Sequence, residues 1–292
     1  MKQYTFISIL LLISSTAFAQ NTNNRYDLEI ESRYVTNNKS DAAFKATRIK
    51  QHLLAIPVKN KFLNIGLDYS YVNIEFREEN SINHDLRDFH KIGFSLSYQS
   101  QINDSWTMTT QLTPRINSNL TDGIKSEDLN INALLLFNHS KSRNSLLSLG
   151  VIYSNKLGHP APFPIINYWK QFNSKWRMNL GLPRMSLSHC ISNKSTITGF
   201  AEYQGFSSNI GNDINNQSFR QNRTAEKISY KDIITGLEYI YKTKQCKFSL
   251  SGGYTLNRTF ELRNNNKDTA YKFDMSNNFY IGFNASFKLK QK

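Results

Sequence analysis

Residues 279–290 read FYIGFNASFKLK, and apolar and polar side chains alternate along this segment. Side chains of a β-strand point alternately to opposite faces, so the pattern predicts a strand with one apolar and one polar face. An aromatic-rich strand of this kind near a C-terminus is typical of the closing strand of an outer-membrane β-barrel. A half-buried strand of a soluble β-sandwich is the alternative. The apolar face would carry Ile281, Phe283, Ala285, Phe287 and Leu289.

The same alternation recurs along the chain, and the segments are separated alternately by short and by long polar stretches. The clearest segment is residues 89–102, where Ile92, Phe94 and Leu96 alternate with small polar residues. A transmembrane barrel with short periplasmic turns and long extracellular loops requires this arrangement. We therefore predict an all-β fold, a single closed antiparallel up-and-down transmembrane barrel of about fourteen strands, with twelve as the alternative.

Two polar stretches are predicted to be loops or irregular edges. Residues 207–227, the longest of them, are rich in Asn and Gln and are predicted to form an extracellular loop. Residues 158–164 contain three of the six prolines. Proline cannot donate to a strand ladder, so this stretch is predicted to be a loop or a strand edge. His159 would lie in a rigid extracellular turn or, alternatively, at the barrel mouth.

The N-terminus has the features of a cleaved export signal. Lys2 provides a positive charge, and an apolar run at residues 6–13 precedes the small-residue cleavage site Ala-Phe-Ala. The apolar run is shorter than the ~20 residues that a membrane-spanning helix needs. We therefore predict a signal peptide at residues 1–19 and one outer-membrane β-barrel domain at residues 20–292. The predicted location is the outer membrane of a Gram-negative bacterium.

The chain is basic, with 36 Lys and Arg against 22 Asp and Glu and a formal net charge of +14. A basic excess raises the question of nucleic acid. The charges are, however, scattered through turns, loops and polar strand faces, so we expect no nucleic-acid partner. The expected partners are the outer-membrane lipids, the barrel-assembly machinery and small anionic solutes.

Charged residues of the predicted strands fall on the polar faces, which would line the barrel lumen. Acidic residues on the first strand would face basic residues on the second, and opposite charges on paired strands stabilise their register. Closing the last strand onto the first would bring the terminal lysines beside Asp27 and Glu29. Independently solvated lumen charges are the alternative. The predicted lumen-lining residues are Asp27, Glu29, Glu31, Arg33, Arg48, Lys50, His52, Asp68, Glu202, Glu238, Lys288 and Lys290.

The two cysteines, Cys190 and Cys246, would remain after export to an oxidising compartment, which permits a disulfide. Cys246 shares a register with Phe248 and Leu250, whereas Cys190 is predicted to point to the opposite side of the wall. We therefore expect no bond between them.

Short motifs at Leu149-Gly150, residues 158–164, Asn167-Tyr168, Trp176 and residues 181–183 carry a family resemblance. They resemble a family of Bacteroidota outer-membrane β-barrel proteins that is catalogued as a domain of unknown function. The resemblance covers nearly all of the mature chain, and it implies the fold and the location. It implies no activity, because none is established for the family. Its most specific residues are Gly158, His159, Pro160, Pro162, Pro164, Gly181 and Pro183.

The histidines, cysteines and serines form no recognisable catalytic or metal-binding pattern in the sequence. His189 would face lipid with Leu187, whereas Ser186 and Ser188 lie on the other strand face, so no lipase-like Ser-His pair is indicated. The sequence contains no Gly-x-Ser-x-Gly motif and no His-x-x-x-His pair. We expect no catalytic residue, no metal and no cofactor. The lumen carboxylates are interpreted as a salt-bridge network rather than as a catalytic acid pair.

These patterns predict a passive role, as a small pore or a solute-binding channel with an anion preference. Lysines and arginines that line a pore raise the local anion concentration. A barrel of about fourteen strands is intermediate in size between filled eight-stranded barrels and open sixteen-stranded porins. This strand number is therefore as consistent with a narrow or plugged lumen as with an open one. The alternative is a non-conducting surface or structural barrel that acts through its loops. A lipid-modifying enzyme is the third hypothesis.

Overall fold

The computed structural model describes residues 27–36, 38–58, 61–77, 85–215 and 224–288. Within these ranges the chain forms fifteen β-strands and two short 3₁₀ helices, Ser126–Asp128 and Asn155–Leu157. None of the described segments is a helix long and apolar enough to cross a bilayer. The strands are β1 (Leu28–Val35), β2 (Ala42–Val58), β3 (Lys61–Phe76), β4 (Asp88–Gln101), β5 (Trp106–Ser118), β6 (Leu129–Ser142), β7 (Ser145–Ser154), β8 (Ala161–Gln171), β9 (Trp176–Leu182), β10 (Arg184–Cys190), β11 (Ser195–Ile214), β12 (Ala225–Lys242), β13 (Cys246–Arg263), β14 (Thr269–Phe273) and β15 (Phe279–Phe287).

The strands close into an antiparallel up-and-down barrel, as the sequence predicts. Each strand from β1 to β13 pairs with its neighbour in the chain, and β15 pairs with both β13 and β1. β14 pairs with residues 260–263 of β13, beyond the part that pairs with β15, so β14 and β15 share one position in the wall. The wall therefore has fourteen strand positions. Closure removes the free sheet edges that the hydrocarbon of a bilayer would not tolerate. The described unpaired edges, at the start of β8 and the second half of β11, lie beyond the short strands β9 and β10.

The outer face of the wall is apolar and exposed. Leu112, Ile131 and Leu250 are 49%, 56% and 54% exposed. The side chains that alternate with them face the lumen and are mostly polar. An apolar outside with a polar inside is the pattern of a transmembrane barrel. Further members of the apolar belt are Phe94, Leu96, Leu149, Ile166, Leu180, Leu187, Ile197, Leu237, Ile281 and Phe283.

The last strand closes the barrel against the first, as predicted. β15 pairs antiparallel with β1, with Glu29 opposite Ser286. Ile281 and Phe283 point outward and are 56% and 47% exposed. Lys290 lies outside the described residues, so the contact of the terminal lysines with the first strand stays a prediction.

The extracellular half of β11 extends beyond its pairing with β10 and, still paired with β12, reaches β5. Asn209 pairs with Ser118 in a parallel bridge, although β6 to β10 separate β11 from β5 around the wall. The amide of Asn117 donates to the Ser207 carbonyl and accepts a hydrogen bond of 2.7 Å from the Ser208 hydroxyl. All five residues are buried, so this contact lies in the interior of the molecule.

The crossing continues beyond the end of β5. Asn209 donates to the Asp128 carboxylate at 2.8 Å, and the Gly211 backbone N–H donates to the Asn119 side chain at 2.7 Å. Lys125 donates to the Gly211 carbonyl at 2.7 Å. We call the contact between residues 117–128 and 207–211 the β5–β11 seam.

The loop prediction for residues 207–227 is therefore wrong at both of its ends. Residues 207–214 extend β11, and residues 225–227 begin β12. The polar composition indicated a solvated loop, because burying Asn and Ser side chains costs free energy unless each finds a hydrogen-bond partner. Here their partners come from the end of β5, which is distant in the sequence.

An apolar core fills the interior of the barrel at the extracellular end. The Phe44 and Tyr230 rings lie 4.3 Å apart, and the Phe260 and Phe273 rings stack at 4.3 Å. Phe260 is completely buried. We call this cluster the extracellular core; its other members include Val35, Ala42, Val72, Ile74, Leu86, Phe89, Ile210, Ala225, Ile228, Leu262 and Ala270.

The connection between β7 and β8 supports the crossing segment. Asn155 donates to the Ser207 carbonyl at 3.2 Å. The Lys156 carbonyl approaches Gly205 so closely that a Cβ atom at position 205 would collide with it. Gly158 has a φ of 76° and lies against the Ser229 side chain, where a larger residue would also collide. This connection packs against β11 and β12 and stabilises the position of their extracellular halves.

The Pro-rich segment is divided between a turn and a strand edge. β8 begins at Ala161, and Pro162 and Pro164 pair with β7. β9 ends at Leu182, opposite Ile166, so the start of β8 has no β9 partner. Proline is tolerated at such an edge because no ladder donor is needed there. The prediction of a loop or strand edge is confirmed.

The two cysteines point to opposite sides of the wall, as predicted. Cys190 faces the lumen and accepts a hydrogen bond of 2.7 Å from Arg177. Cys246 shares the outward register of Leu250.

We predict that Asn117→Ala lowers the free energy of unfolding by about 2 to 3 kcal/mol, because it leaves the buried Ser207 carbonyl and Ser208 hydroxyl without these partners. The measurement is urea unfolding of the refolded barrel in detergent, followed by its gel-mobility shift on heating. Asn132→Ala is the control, since Asn132 lines the same side of the lumen without a side-chain hydrogen bond to another described residue. Equal losses in the two variants would contradict a stabilising seam.

Candidate functional site

The lumen beneath the extracellular core contains two neighbouring polar cavities of about 390 and 380 Å³. Arg48 and Lys156 contribute to the walls of both. Lys156 reaches the lumen from the connection between β7 and β8, whereas Arg48 comes from β2. The two cavities are therefore adjacent parts of one chamber, which we call the lumenal chamber.

One side of the lumenal chamber carries a salt-bridge network and has a smaller excess of positive charge than the other. Arg184 on β10 forms salt bridges with Glu202 at 2.9 Å and with Glu238 at 3.0 Å. Its guanidinium carbon lies 4.0 Å from the centre of the Phe200 ring. These contacts join β10, β11 and β12, so the network fixes the wall where β11 begins to turn inward.

A second contact crosses the lumen directly. Arg33 on β1 donates to the Gln204 side chain on β11 and forms a 3.0 Å salt bridge with Glu31. β1 and β11 are not neighbours in the wall. The lumen is therefore narrow at this height, because two side chains are enough to span it.

The other side of the chamber has an excess of positive charge. Arg48 donates to Asp68 through Nε at 2.7 Å, and Arg115 lies 3.5 Å from the same carboxylate. Lys91 lies over the Phe206 ring with its Nζ 4.3 Å from the ring centre. The cations that line this cavity are Arg48, Lys50, Lys91, Arg115 and Lys156, and Asp68 is the one carboxylate among its described lining residues.

This arrangement is suited to holding an anion. Arginine and lysine donate strong, charge-assisted hydrogen bonds to carboxylate and phosphate oxygens. The low-dielectric wall around the chamber strengthens the field of the net positive charge. Amide and hydroxyl groups in the same wall can bind neutral polar atoms of a solute: Ser70, Ser95, Gln111, Thr113, Asn117, Asn130 and Asn132.

The structure brings seven of the residues selected from the sequence to the lumenal chamber. Its lining includes Glu31, Arg33, Arg48, Lys50, Asp68, Glu202 and Glu238.

The other residues selected from the sequence lie away from the chamber. Glu29 and His52 approach each other at 3.8 Å on neighbouring strands, near the periplasmic end. Asp27 and Lys288 lie at the same end, where β1 begins and β15 has ended.

Sequence reasoning missed Lys91, Arg115, Lys156 and Arg184. Lys91 and Arg115 could have been found, because each alternates with outward apolar residues and so shares the polar face of its strand. Lys156 had no such signal, since it lies in a connection. Arg184 directly follows Pro183, where the strand pattern is interrupted.

The motif residues of the Pro-rich segment do not line the chamber. His159 lies near Arg263 and Lys267, and burial together with these cations lowers its pKa, so the imidazole is neutral at pH 7. Gly181 has a φ of 147° and lies against the backbone of β8, next to the cis peptide bond between Leu182 and Pro183. These residues shape the wall rather than the site.

The described residues contain no group of three or more His, Cys, Asp or Glu side chains arranged to hold a metal ion.

We predict that Arg184→Gln lowers the free energy of unfolding by about 2 kcal/mol, because two carboxylates lose a charged hydrogen-bond donor. Adding Glu202→Gln and Glu238→Gln should restore most of the loss, since no unpaired charge is then left in the wall. Urea unfolding of the wild-type protein, Arg184→Gln and the triple variant measures both the loss of stability and its recovery. A triple variant that is less stable than Arg184→Gln alone would contradict the assignment.

The comparisons with solved structures return barrels of low sequence identity. The KdgM porin is 11% identical with a TM-score of 0.38, covering 90% of this chain and 99% of that one. A Pseudomonas aeruginosa FadL homologue is 8% identical with a TM-score of 0.44, covering 90% and 89%. LpxR from Salmonella typhimurium is 6% identical with a TM-score of 0.36, covering 89% and 100%. At these values the likeness concerns the barrel fold alone.

The sequence comparisons identify the family. No curated protein matches the chain in sequence. The Bacteroidota source stays a prediction from the resemblance. The model of a family described as "Domain of unknown function (DUF6268)" matches residues 16–292, and the chain therefore belongs to this family.

Proposed function

We propose that the protein is an outer-membrane solute channel that favours small anions and that is closed at its extracellular end in this conformation. The observation that carries the proposal is the lumenal chamber, whose more basic side has five lining cations and one carboxylate. A basic chamber inside an apolar-walled barrel concentrates anions and lowers their entry barrier.

The periplasmic side of the lumen offers an entrance to the chamber. A further polar cavity of about 440 Å³ lies at that end, bordered by the turn residues Ser174 and Lys194. Its wall continues upward through Ser186, Ser188 and Thr198, whose side chains are small. The larger side chains of Trp169, Arg177 and Met178 border the same cavity, so a small solute that approaches from the periplasm passes between large and small side chains.

The extracellular side is closed by the extracellular core and the β5–β11 seam. Passage through the barrel consequently requires that β11 and β12 move away from β5. The buried seam is held by hydrogen bonds between short polar side chains, for which water can substitute when the seam opens. The channel is therefore a gated one, with its resting state closed to the outside.

The test is single-channel conductance of the refolded mature protein in a planar bilayer under a salt gradient. We expect rare but stable current steps with a reversal potential on the anion-selective side. Cation-selective steps would contradict the anion preference.

A disulfide at the seam tests the gate in the same bilayer. Ser118→Cys with Asn209→Cys places two thiols at paired positions, in a background with Cys190→Ser and Cys246→Ser. The oxidised protein should be silent, and reduction should restore the steps. The single Ser118→Cys variant is the control, and it should conduct in both redox states. Persistent conductance of the oxidised protein would contradict closure at the seam.

We further predict that Lys91→Gln with Lys156→Gln lowers the anion-to-cation permeability ratio several-fold. Neither lysine forms a salt bridge with a described carboxylate, so their removal leaves no pair broken. Lys141→Gln with Lys244→Gln is the matched control, because both of these lysines are exposed at the periplasmic turns and neither lines the chamber or the cavity below it. An equal change in the two variants would show that the chamber is not the selectivity filter.

A non-conducting surface barrel is the second candidate, and the filled extracellular core favours it. Such a protein would be electrically silent in both redox states while its gel band still shifts on heating. That result would indicate that the protein acts through its extracellular loops.

A further inference from the structure

The turns at the periplasmic end are strongly basic. Both described chain ends and the short turns lie at this end, which identifies it as the periplasmic one. Asp104 is the one exposed carboxylate among the described residues of these turns. The exposed cations, which we call the periplasmic rim, are Lys61, Lys141, Arg143, Lys170, Lys175, Lys194, Lys242 and Lys244.

The extracellular end lacks this excess. Its described exposed carboxylates are Glu75, Asp88, Asp122, Glu127, Asp213, Asp268 and Asp274. Its described exposed cations are Lys39, Lys45, Arg77, Arg87, Lys267 and Lys272. Opposite charges nearly cancel here, so the described surface charge is concentrated at the periplasmic rim.

Two tryptophan–histidine pairs lie at the same rim. Trp106 stacks on His139 with ring centres 4.6 Å apart, and Trp176 contacts His189 at 4.5 Å. The members of each pair are directly opposite on antiparallel strands. In both cases an asparagine side chain of the preceding turn accepts a 2.9 Å hydrogen bond from the tryptophan backbone. The same local arrangement thus occurs twice around the wall.

Both pairs face outward, next to the apolar belt. Trp106 shares its strand face with Leu112, and Trp176 shares its strand face with Leu180, and these leucines are each 49% exposed. An aromatic ring with a polar edge is favoured where the bilayer interior meets the headgroups. The pairs therefore mark the headgroup level, and the rim cations lie immediately beyond it.

We propose that the periplasmic rim binds the headgroups of anionic phospholipids in the inner leaflet of the outer membrane. Charge complementarity and continuity with the apolar belt support this occupant, because acyl chains can cover the belt while the phosphates reach the rim. Each lysine or arginine near a membrane surface strengthens the binding of anionic lipid about fivefold. The inference rests on the proposed membrane location, and it is independent of whether the barrel conducts.

The natural tryptophans report on the lipids at the rim. Trp169 lines the lumen, whereas Trp106 and Trp176 face outward at the rim. The refolded mature protein is placed in vesicles that contain brominated phosphatidylglycerol or brominated phosphatidylcholine, and quenching of tryptophan fluorescence gives their relative affinities. We expect about fivefold preference for the anionic lipid at low salt, which falls as salt is added.

Two matched triple variants test whether the rim cations cause the preference for anionic lipid. The rim variant carries Lys141→Gln, Arg143→Gln and Lys175→Gln, and the control carries Lys45→Gln, Arg77→Gln and Lys272→Gln at the extracellular end. The rim variant lacks three of the eight rim cations and should show a clearly smaller preference for the anionic lipid than the wild-type protein, whereas the control should keep the wild-type preference. The heat-shifted gel band verifies that each variant is folded.

Equal quenching by the two lipids in the wild-type protein would overturn the proposal and would leave an acidic periplasmic partner as the occupant of the rim. Loss of the preference in the control variant would also overturn it. Absence of quenching by either lipid would instead contradict the membrane location.

Discussion

Closure of the hydrogen-bonded wall is the constraint on which the rest of the structure depends. In hydrocarbon no water is present to hydrogen-bond backbone N–H and C=O groups. A β-sheet can therefore span a membrane only when it closes into a barrel and leaves no unpaired edge strand in the hydrocarbon. β15 meets this requirement by pairing with β13 on one side and β1 on the other. Once the wall is closed, every strand has one face toward lipid and one toward the lumen. The alternation of apolar and polar residues follows from this geometry.

A wall with fourteen strand positions encloses more space than the inward side chains of one layer can fill. The protein fills the extracellular end by bending β11 across to β5, so that the crossing strand and the apolar side chains beneath it occupy the interior. Below this level the side chains are polar, and Arg33 and Gln204 meet across the lumen. The basic chamber is thus the part of the interior that the extracellular core does not occupy. Its position explains how the proposed anion site and a closed mouth can occur in the same barrel.

The fold could be predicted from the sequence because its signals are local. The two-residue period in residues 279–287 predicted the closing strand and the identity of its outer face. The course of β11 could not be predicted in this way. The buried polar residues Asn209 and Ser208 resemble loop residues until their partners at Asn117 and Asp128 are known, and these partners are about 80 to 90 residues distant in the chain.

The residues of the candidate site also differ in how well the sequence predicts them. Strand periodicity placed Arg48 and Asp68 on the lumenal face, and they pair in the structure. Lys156 belongs to a connection, so its entry into the chamber depends on how the β7–β8 connection packs against Gly205. Residues on regular strands are predictable from spacing, whereas residues delivered by connections depend on tertiary packing.

The central claim is that an anion site lies beneath a closed extracellular end. Anomalous diffraction from crystals soaked in bromide tests it most directly, because bromide can be located without assumptions about the solute. The account predicts bromide beside Lys91 and Arg115, with the Phe44 and Phe260 rings still packed above it. A lumen without bromide, or a continuous water-filled path past Phe260, would contradict it.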